Sequence, residues 1–480
     1  KSLAASTLED ALTSPDAETR AVAAKLARFS NFVAADKIDK SLQLDTDWRV
    51  QVEAARTLVH RKESTRVADF AVRLWRQIRE RAGELESTKG VFLLSALEAL
   101  FAATSLAPPA HAALQEIYAT ANVASPQASL TTAWAHCRAA MALDVADKSG
   151  LRTRDCGGAR MPAWRRAGLA ADLAKQLPPD APMAAVRELV EHFVASTGAR
   201  VRTAILPAVV YLDPEKARPM FLDALASTDP VIAAVAAEAL GSQPPKLFRR
   251  PDFERAVIAA LIRHAKGNNV EATISLAMAA FQYPPGASDA ALHDLATHTE
   301  PSVAAMARLD RFHDHTRGRL SRPSSWAALD RAALNPATLP KTARIETSRG
   351  RIDIRFHTTE APRTVANFVV LARKGFYNGL EFHRVVPNFV IQGGDPRGDG
   401  FGGPGYTIPC EPSFADSGYA RGSVGMALAG RHTGGSQFFI THSAHPHLNG
   451  RYTNFATVTS GIDVVDRIVV GDTILRVIVD

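Results

Sequence analysis

The chain has 480 residues, 46% of them hydrophobic and 22% charged, and 56 Lys and Arg against 49 Asp and Glu give a net charge of +7. Such a length exceeds one hydrophobic core, so two or three domains are expected, and the composition excludes a disordered or fibrous chain. The small basic excess forms no long block, so nothing calls for nucleic acid, and no apolar run reaches the ~18–20 residues of a membrane-spanning segment.

From residue 1 to 311, Ala, Leu, Val and Arg recur at i, i+3 and i+4 between short Pro- or Asp-containing breaks, which predicts a succession of helices. The sequence opens on Lys1 rather than methionine. The expectation is a removed N-terminal segment and an exported, periplasmic setting in preference to the cytoplasm. Asp47-Trp48-Arg49-Val50 leads into Ala54-Ala55-Arg56-Thr57-Leu58, and Asp229-Pro230-Val231-Ile232 leads into Ala236-Ala237-Glu238-Ala239-Leu240 at the same offset, with looser echoes at Asp16 to Phe29 and Glu300 to Leu309. An acidic or Pro-containing turn followed by a helix with a small Ala-Ala face suits stacked helical hairpins, and the pattern resembles HEAT-like repeats. The resemblance implies an α-solenoid with a long surface for a protein partner. The plainer alternative is an irregular domain of Ala-rich helices. The basic residues Arg73 to Arg81 read first as a solvated helix face and second as a site for an anionic partner. Cys137 and Cys156 lie 19 residues apart and Cys410 stands alone; three cysteines without CxxC spacing make no framework, so one disulfide and two buried thiols both remain open.

Residues 312–341, with Arg322-Pro323-Ser324-Ser325, Asn335-Pro336 and Leu339-Pro340, read as an extended linker with a short helix around Trp326 to Leu334. Beyond it, 342–480 has another texture. Alternation predicts a hairpin across Ala343 to Phe356 with Ile345, Ile352, Ile354 and Phe356 inward, then a helix from Pro362 with Val365, Phe368, Val369 and Ala372 as its stripe, ended by Gly375.

Two long segments follow, Phe382-His-Arg-Val-Val-Pro-Asn-Phe-Val-Ile-Gln-Gly-Gly-Asp395 and Gly425-Met-Ala-Leu-Ala-Gly-Arg-His-Thr-Gly-Gly-Ser-Gln-Phe-Phe-Ile440, with Gly-Gly-Pro-Gly-Tyr406 between them and Leu448-Asn-Gly-Arg-Tyr452 after. They resemble the signature blocks of the cyclophilin-type peptidyl-prolyl cis/trans isomerases, and the resemblance covers about 29% of the chain. It implies a closed eight-stranded antiparallel barrel with two capping helices and a substrate groove on its outer face. Matching positions make Arg384, Phe389 and Gln392 the catalytic set. His383, Val390, Ala427, Leu428, Ala429, Gln437, Phe439, His447, Leu448 and Tyr452 then line the peptide groove, His383 as a structural neighbour without proton transfer. His447, Leu428 and Tyr452 stand where many eukaryotic members have Trp, Asn and His; the loss of Trp puts cyclosporin sensitivity in doubt, and the His and Tyr resemble those of bacterial members.

Rotation about an Xaa-Pro bond breaks no bond, so neither nucleophile nor cofactor is expected. It needs an apolar seat for the ring and a donor for the twisted amide, a role that suits Arg. The glycine-rich stretch Gly393 to Gly405 lacks the Lys-Ser/Thr of a phosphate loop and reads as turns, its Arg397-Gly398-Asp399 as accidental. His432, His442, His445 and His447 lack the carboxylate or cysteine that would complete a metal set. Two readings of the whole remain: an isomerase of proline-containing protein clients with a partner on its helical repeats, or a scaffold whose cyclophilin fold only binds proline-containing loops.

Overall fold

Both aligned repeat copies begin on a helix cap. Asp47 Oδ1 accepts from the N–H of Arg49 at 2.9 Å and Asp229 Oδ1 from the N–H of Val231 at 2.9 Å, each satisfying a donor the helix cannot use itself. Asp16, opening the looser echo, accepts from the N–H of Thr19 at 2.8 Å. The computed structural model describes residues 3–304 except 31, 82, 104–105, 126–127, 148–150, 177–183, 197, 212–213, 243–249, 268, 284–286, 296–297 and 299–302, and residues 335–480 except 412–417. The short helix expected at Trp326 to Leu334, most of the linker and nearly all of the echo at Glu300 to Leu309 lie outside those residues.

Between Leu3 and Leu295 the described chain is helical, and the helices stack in alternation. Helix Ala17–Leu26 packs on Trp48–His60, that on Thr88–Phe101 and that on Leu130–Asp147, while Ser64–Ile78 packs on Pro108–Thr120 in a second layer. Ala163–Gln176, Ala199–Val209, Pro230–Gly241 and Val270–Phe281 continue the series. Ala54, Ala55, Ala236 and Ala237 are wholly buried, so the small faces of both copies are where backbones approach. This arrangement fits a repeat solenoid. Among the described residues no helix is long and apolar enough to cross a membrane.

Cys137 and Cys156 form a disulfide inside the helical core. Gly157 beside it has φ +75°, and a Cβ there would lie 2.6 Å from Met161 Cβ and 3.0 Å from Cys137 Sγ, so only glycine allows the close approach.

The C-terminal half builds β1 (Thr342–Thr347), β2 (Gly350–Phe356), β3 (Arg384–Val386), β4 (Val390–Gly393), β5 (Ser423–Met426), β6 (Phe438–Thr441), β7 (Asn454–Ser460) and β8 (Ile474–Val479). They form one curled antiparallel sheet in the order β3-β4-β6-β5-β7-β2-β1-β8. The expected closed barrel is replaced by this coarser result, because β3 and β8 are edges that do not pair directly. The stretch just before β3 does meet the start of β8 and the residue two before it: Gly379 N–H donates to Ile474 O at 2.8 Å and Phe382 N–H to Asp472 O at 2.8 Å. Helices Pro362–Arg373 and Ile462–Arg467 cover the core, to which Val365, Phe368, Val464 and Val465 contribute. The four expected inward residues of the first hairpin are all buried, as alternation requires.

The two halves are not beads on a string. At one end Arg49 Nη1 donates to His442 O at 3.4 Å, Trp48 meets the His442 ring edge-on at 5.2 Å, and the Ala444 N–H donates to Glu18 Oε1 at 2.7 Å. In the middle Trp134 Nε1 donates to Val470 O at 2.8 Å, Val469 enters the helical core, and the buried Arg165 pairs with Glu381. At the far end Arg397 pairs with Asp229 at 3.3 Å and Phe401 packs against the second helical core.

Cross-linking residues 19 apart removes loop entropy from the unfolded chain worth about 3 kcal/mol. Reduction is therefore expected to lower the denaturant midpoint of the helical half, followed by circular dichroism with and without reductant. An unmoved midpoint would show that the bridge adds nothing to stability.

Candidate functional site

Pairing of β3 with β4 sets Arg384 opposite Gln392, and pairing of β4 with β6 sets Gln392 opposite Phe439. Arg384 Nη1 donates to Gln392 Oε1 at 3.2 Å, and Gln392 Nε2 donates to Gln437 Oε1 at 3.0 Å. Gln437 Nε2 in turn donates to Gly400 O at 2.8 Å and Gly402 O at 2.9 Å. Each amide is thereby oriented by its neighbours, and the guanidinium stands at the open end of the chain, 5.9 Å from the Phe389 ring. Partial burial lowers its pKa, yet an arginine stays charged.

Beside this chain lies an apolar cluster of Val390, Tyr419, Phe439 and Leu448, with Phe389, Ala427 and Tyr452 packed against it. Tyr419 stacks on Phe439 at 5.6 Å and Tyr452 meets Phe439 edge-on at 5.7 Å. Gly425 makes room: a Cβ there would lie 2.2 Å from the Phe439 ring. His447 is exposed and stacks on Phe389 at 5.8 Å, while His445 meets Phe389 edge-on at 4.7 Å. The Ala427 N–H donates to Gln437 O at 3.0 Å and the Ala429 N–H to Thr433 Oγ1 at 2.9 Å, so both fix the course of the strand edge across Leu428. His383, next to Arg384, has a buried ring without a hydrogen-bond partner among the described residues, and burial lowers its pKa.

Sequence reasoning missed three members of this neighbourhood. Tyr419 lies outside both blocks and only packing reveals it. Asn388 sits in a left-handed conformation, φ +57°, in the turn that presents Phe389, and Asn after Pro was the available signal. Glu53, from helix Trp48–His60, accepts from Asn388 Nδ2 at 3.2 Å and pairs with Arg28 and Arg56, each at 2.9 Å, while Arg56 also donates to Pro387 O at 3.3 Å. The helical half thus holds the turn behind Phe389.

Residues 342–477 match the family described as "Cyclophilin type peptidyl-prolyl cis-trans isomerase/CLD". A peptidyl-prolyl cis-trans isomerase of Helicobacter pylori is 50% identical over 144 residues, which is 29% of this chain and 88% of that protein. Peptidyl-prolyl cis-trans isomerase B of Bacillus subtilis is 51% identical over 130 residues, 27% of this chain and 91% of that protein. The crystal structure of a cyclophilin type isomerase from Cryptosporidium parvum aligns over 29% of this chain and 98% of its own, with 30% identity and a TM-score of 0.28.

Burial holds His136, His442 and His445 neutral, each with its pKa lowered to about 4. Unfolded, each titrates near ~6.5, so between these values the unfolded chain binds more protons and stability rises with pH. The thermal midpoint should fall as pH drops through 6.5 towards 4, and His442→Phe should make the fall shallower. Equal midpoints at pH 7.5 and pH 5 would overturn this.

Proposed function

Through residues 342–477 the chain belongs to the cyclophilin-type peptidyl-prolyl cis-trans isomerase family, and we propose that it turns Xaa-Pro bonds of protein clients with Arg384, Phe389 and Gln392 as its working groups. The observation that carries this is the Arg384–Gln392–Gln437 hydrogen-bonded chain lying against the apolar cluster of Phe389, Val390, Phe439 and Leu448.

Amide resonance sets a barrier of ~18–20 kcal/mol to the rotation. As the bond twists, the proline nitrogen regains a lone pair and becomes an acceptor. Arg384, oriented by Gln392, donates to that nitrogen only in the twisted state, so its bond favours the transition state over either ground state. The apolar cluster seats the ring while the preceding carbonyl swings. Gln437 and the Ala427–Leu428–Ala429 edge line the peptide, with His383, His447 and Tyr452 at the rim. No covalent bond changes, so no proton transfer, metal or cofactor enters the proposal.

Three finer readings go with it. The sheet is read as a barrel, completed by the hydrogen bonds between the stretch before β3 and the start of β8. The stacked helices, residues 1–311, are read as HEAT-like repeats joined through 312–341 to the catalytic domain, 342–480. Client recruitment by the helices rests on a groove of about 820 Å³ beside the exposed side chains of Val22, Leu26 and Phe32. Its helix lies next to the Ala444 loop.

Arg384→Ala is expected to lower kcat/KM on an Xaa-Pro peptide about 100-fold, measured in a protease-coupled assay; wild-type inactivity, or an unaltered variant, would sink the enzymatic reading. Val22→Ser combined with Leu26→Ser is expected to raise KM for a proline-limited refolding protein more than for a tetrapeptide. An equal effect on both would remove the recruiting role.

A further inference from the structure

The glycine-rich loop between β4 and β5 turns away from its own sheet and docks on the helical half. Phe401 packs against the helical core, its carbonyl accepts from Asn269 Nδ2 at 3.4 Å, and Arg397 pairs with Asp229. Between this loop and helix Val270–Phe281 lies a cavity of about 290 Å³ with walls from both halves. Val270 and Glu271 come from the helix, Pro404 and Thr407 from the loop, and Ala427 and Gln437 are shared with the peptide groove. Since the Gln437 amide also holds Gln392, a peptide lying along Arg384 passes the mouth of this cavity.

Glu271 is the one carboxylate among the described residues that line it, and Arg397 the one cation. Arg397 is already engaged by Asp229 at 3.3 Å and Asp399 at 3.1 Å. No described residue forms an ion pair or hydrogen bond with the Glu271 side chain. A half-buried carboxylate without a partner among the described residues attracts a cation, and one with a long apolar stem would also cover Val270 and Pro404.

We infer that this composite cavity is a client side-chain site selective for lysine or arginine near the proline, with Glu271 of the helical half as its counter-charge. The inference rests on the isomerase reading above. It makes the helices part of substrate choice, not only a tether or a recruiting surface.

The electrostatics agree in direction. Burial, then Asp395 and Asp399 on the loop and Glu238 on helix Pro230–Gly241, push the Glu271 pKa up to about 8, while Arg397 elsewhere in the lining is held by Asp229 and Asp399. The empty site therefore holds a proton at neutral pH, and a bound cation expels it. Preference for a basic client should grow as pH rises from 6.5 to 9, because the proton-release cost vanishes above the raised pKa.

The test uses the full chain and Xaa-Pro peptides in which Lys or Met is placed in turn at each of three positions on either side of the proline. At one position the ratio of kcat/KM for Lys over Met is expected to reach about fivefold, the size of one well-placed ion pair. It should rise between pH 6.5 and 9 and fall towards one in Glu271→Gln. The ratio is taken on a single sample, so a partly folded variant does not distort it. Activity without Lys preference at any position, or a preference that survives Glu271→Gln, overturns the inference. Inactivity on every peptide instead defeats the isomerase reading on which it rests.

Discussion

The side-chain amide of Gln437 is the joint on which the groove depends. Its oxygen accepts from Gln392, which carries Arg384, and its nitrogen spends both hydrogens on the carbonyls of Gly400 and Gly402. The residue is 5% exposed, so an unpaired amide atom would cost desolvation, and both amide hydrogens and the oxygen are in use. One buried group thus couples the orientation of the arginine to the course of the glycine-rich loop. Through Phe401 and Arg397, that loop is seated on the helices.

The helical arc grips the catalytic half at both ends of the groove, and it does so with the two segments whose likeness is visible in the sequence. The first copy brings Trp48, Arg49, Glu53 and Arg56 to the turn of Pro387 and Asn388 and to His442. The second brings Asp229, its helix cap, to Arg397. Both contacts come from Asp-capped helix starts, and the surface they meet is the chain's own isomerase domain.

Much of this was legible beforehand. Alternation located the first hairpin, and the 3.6-residue stripe and Gly375 located its helix. The two blocks supply β3, β4 and β6, whose register brings Arg384, Gln392 and Phe439 side by side. The Asp-turn-Ala-Ala pattern gave stacking without showing what the arc encloses. Contacts between residues more than 300 positions apart, such as Glu53 with Asn388, leave no local pattern, because a carboxylate bound for an interface looks like any helix-surface acid. Arg397 was read as incidental for the same reason: its partner Asp229 belongs to another half of the chain. The cysteines left two outcomes open, because spacing does not report whether two side chains converge, and the folded core brings them together.

Arg165 shows what kind of joint unites the halves. Its guanidinium lies 4.9 Å from the Trp164 ring and 5.9 Å from that of Trp134, is 4% exposed, and has Glu381 as its acid. Sliding the halves by a few ångströms would leave a permanently charged group facing indole and no counter-ion, with a penalty of several kcal/mol. A partial slip is therefore opposed at this point of the seam, because water does not reach the guanidinium while the two indoles still cover it. The ion acts as a detent, resisting small slips between the halves where Trp134 and Val469 meet across the seam.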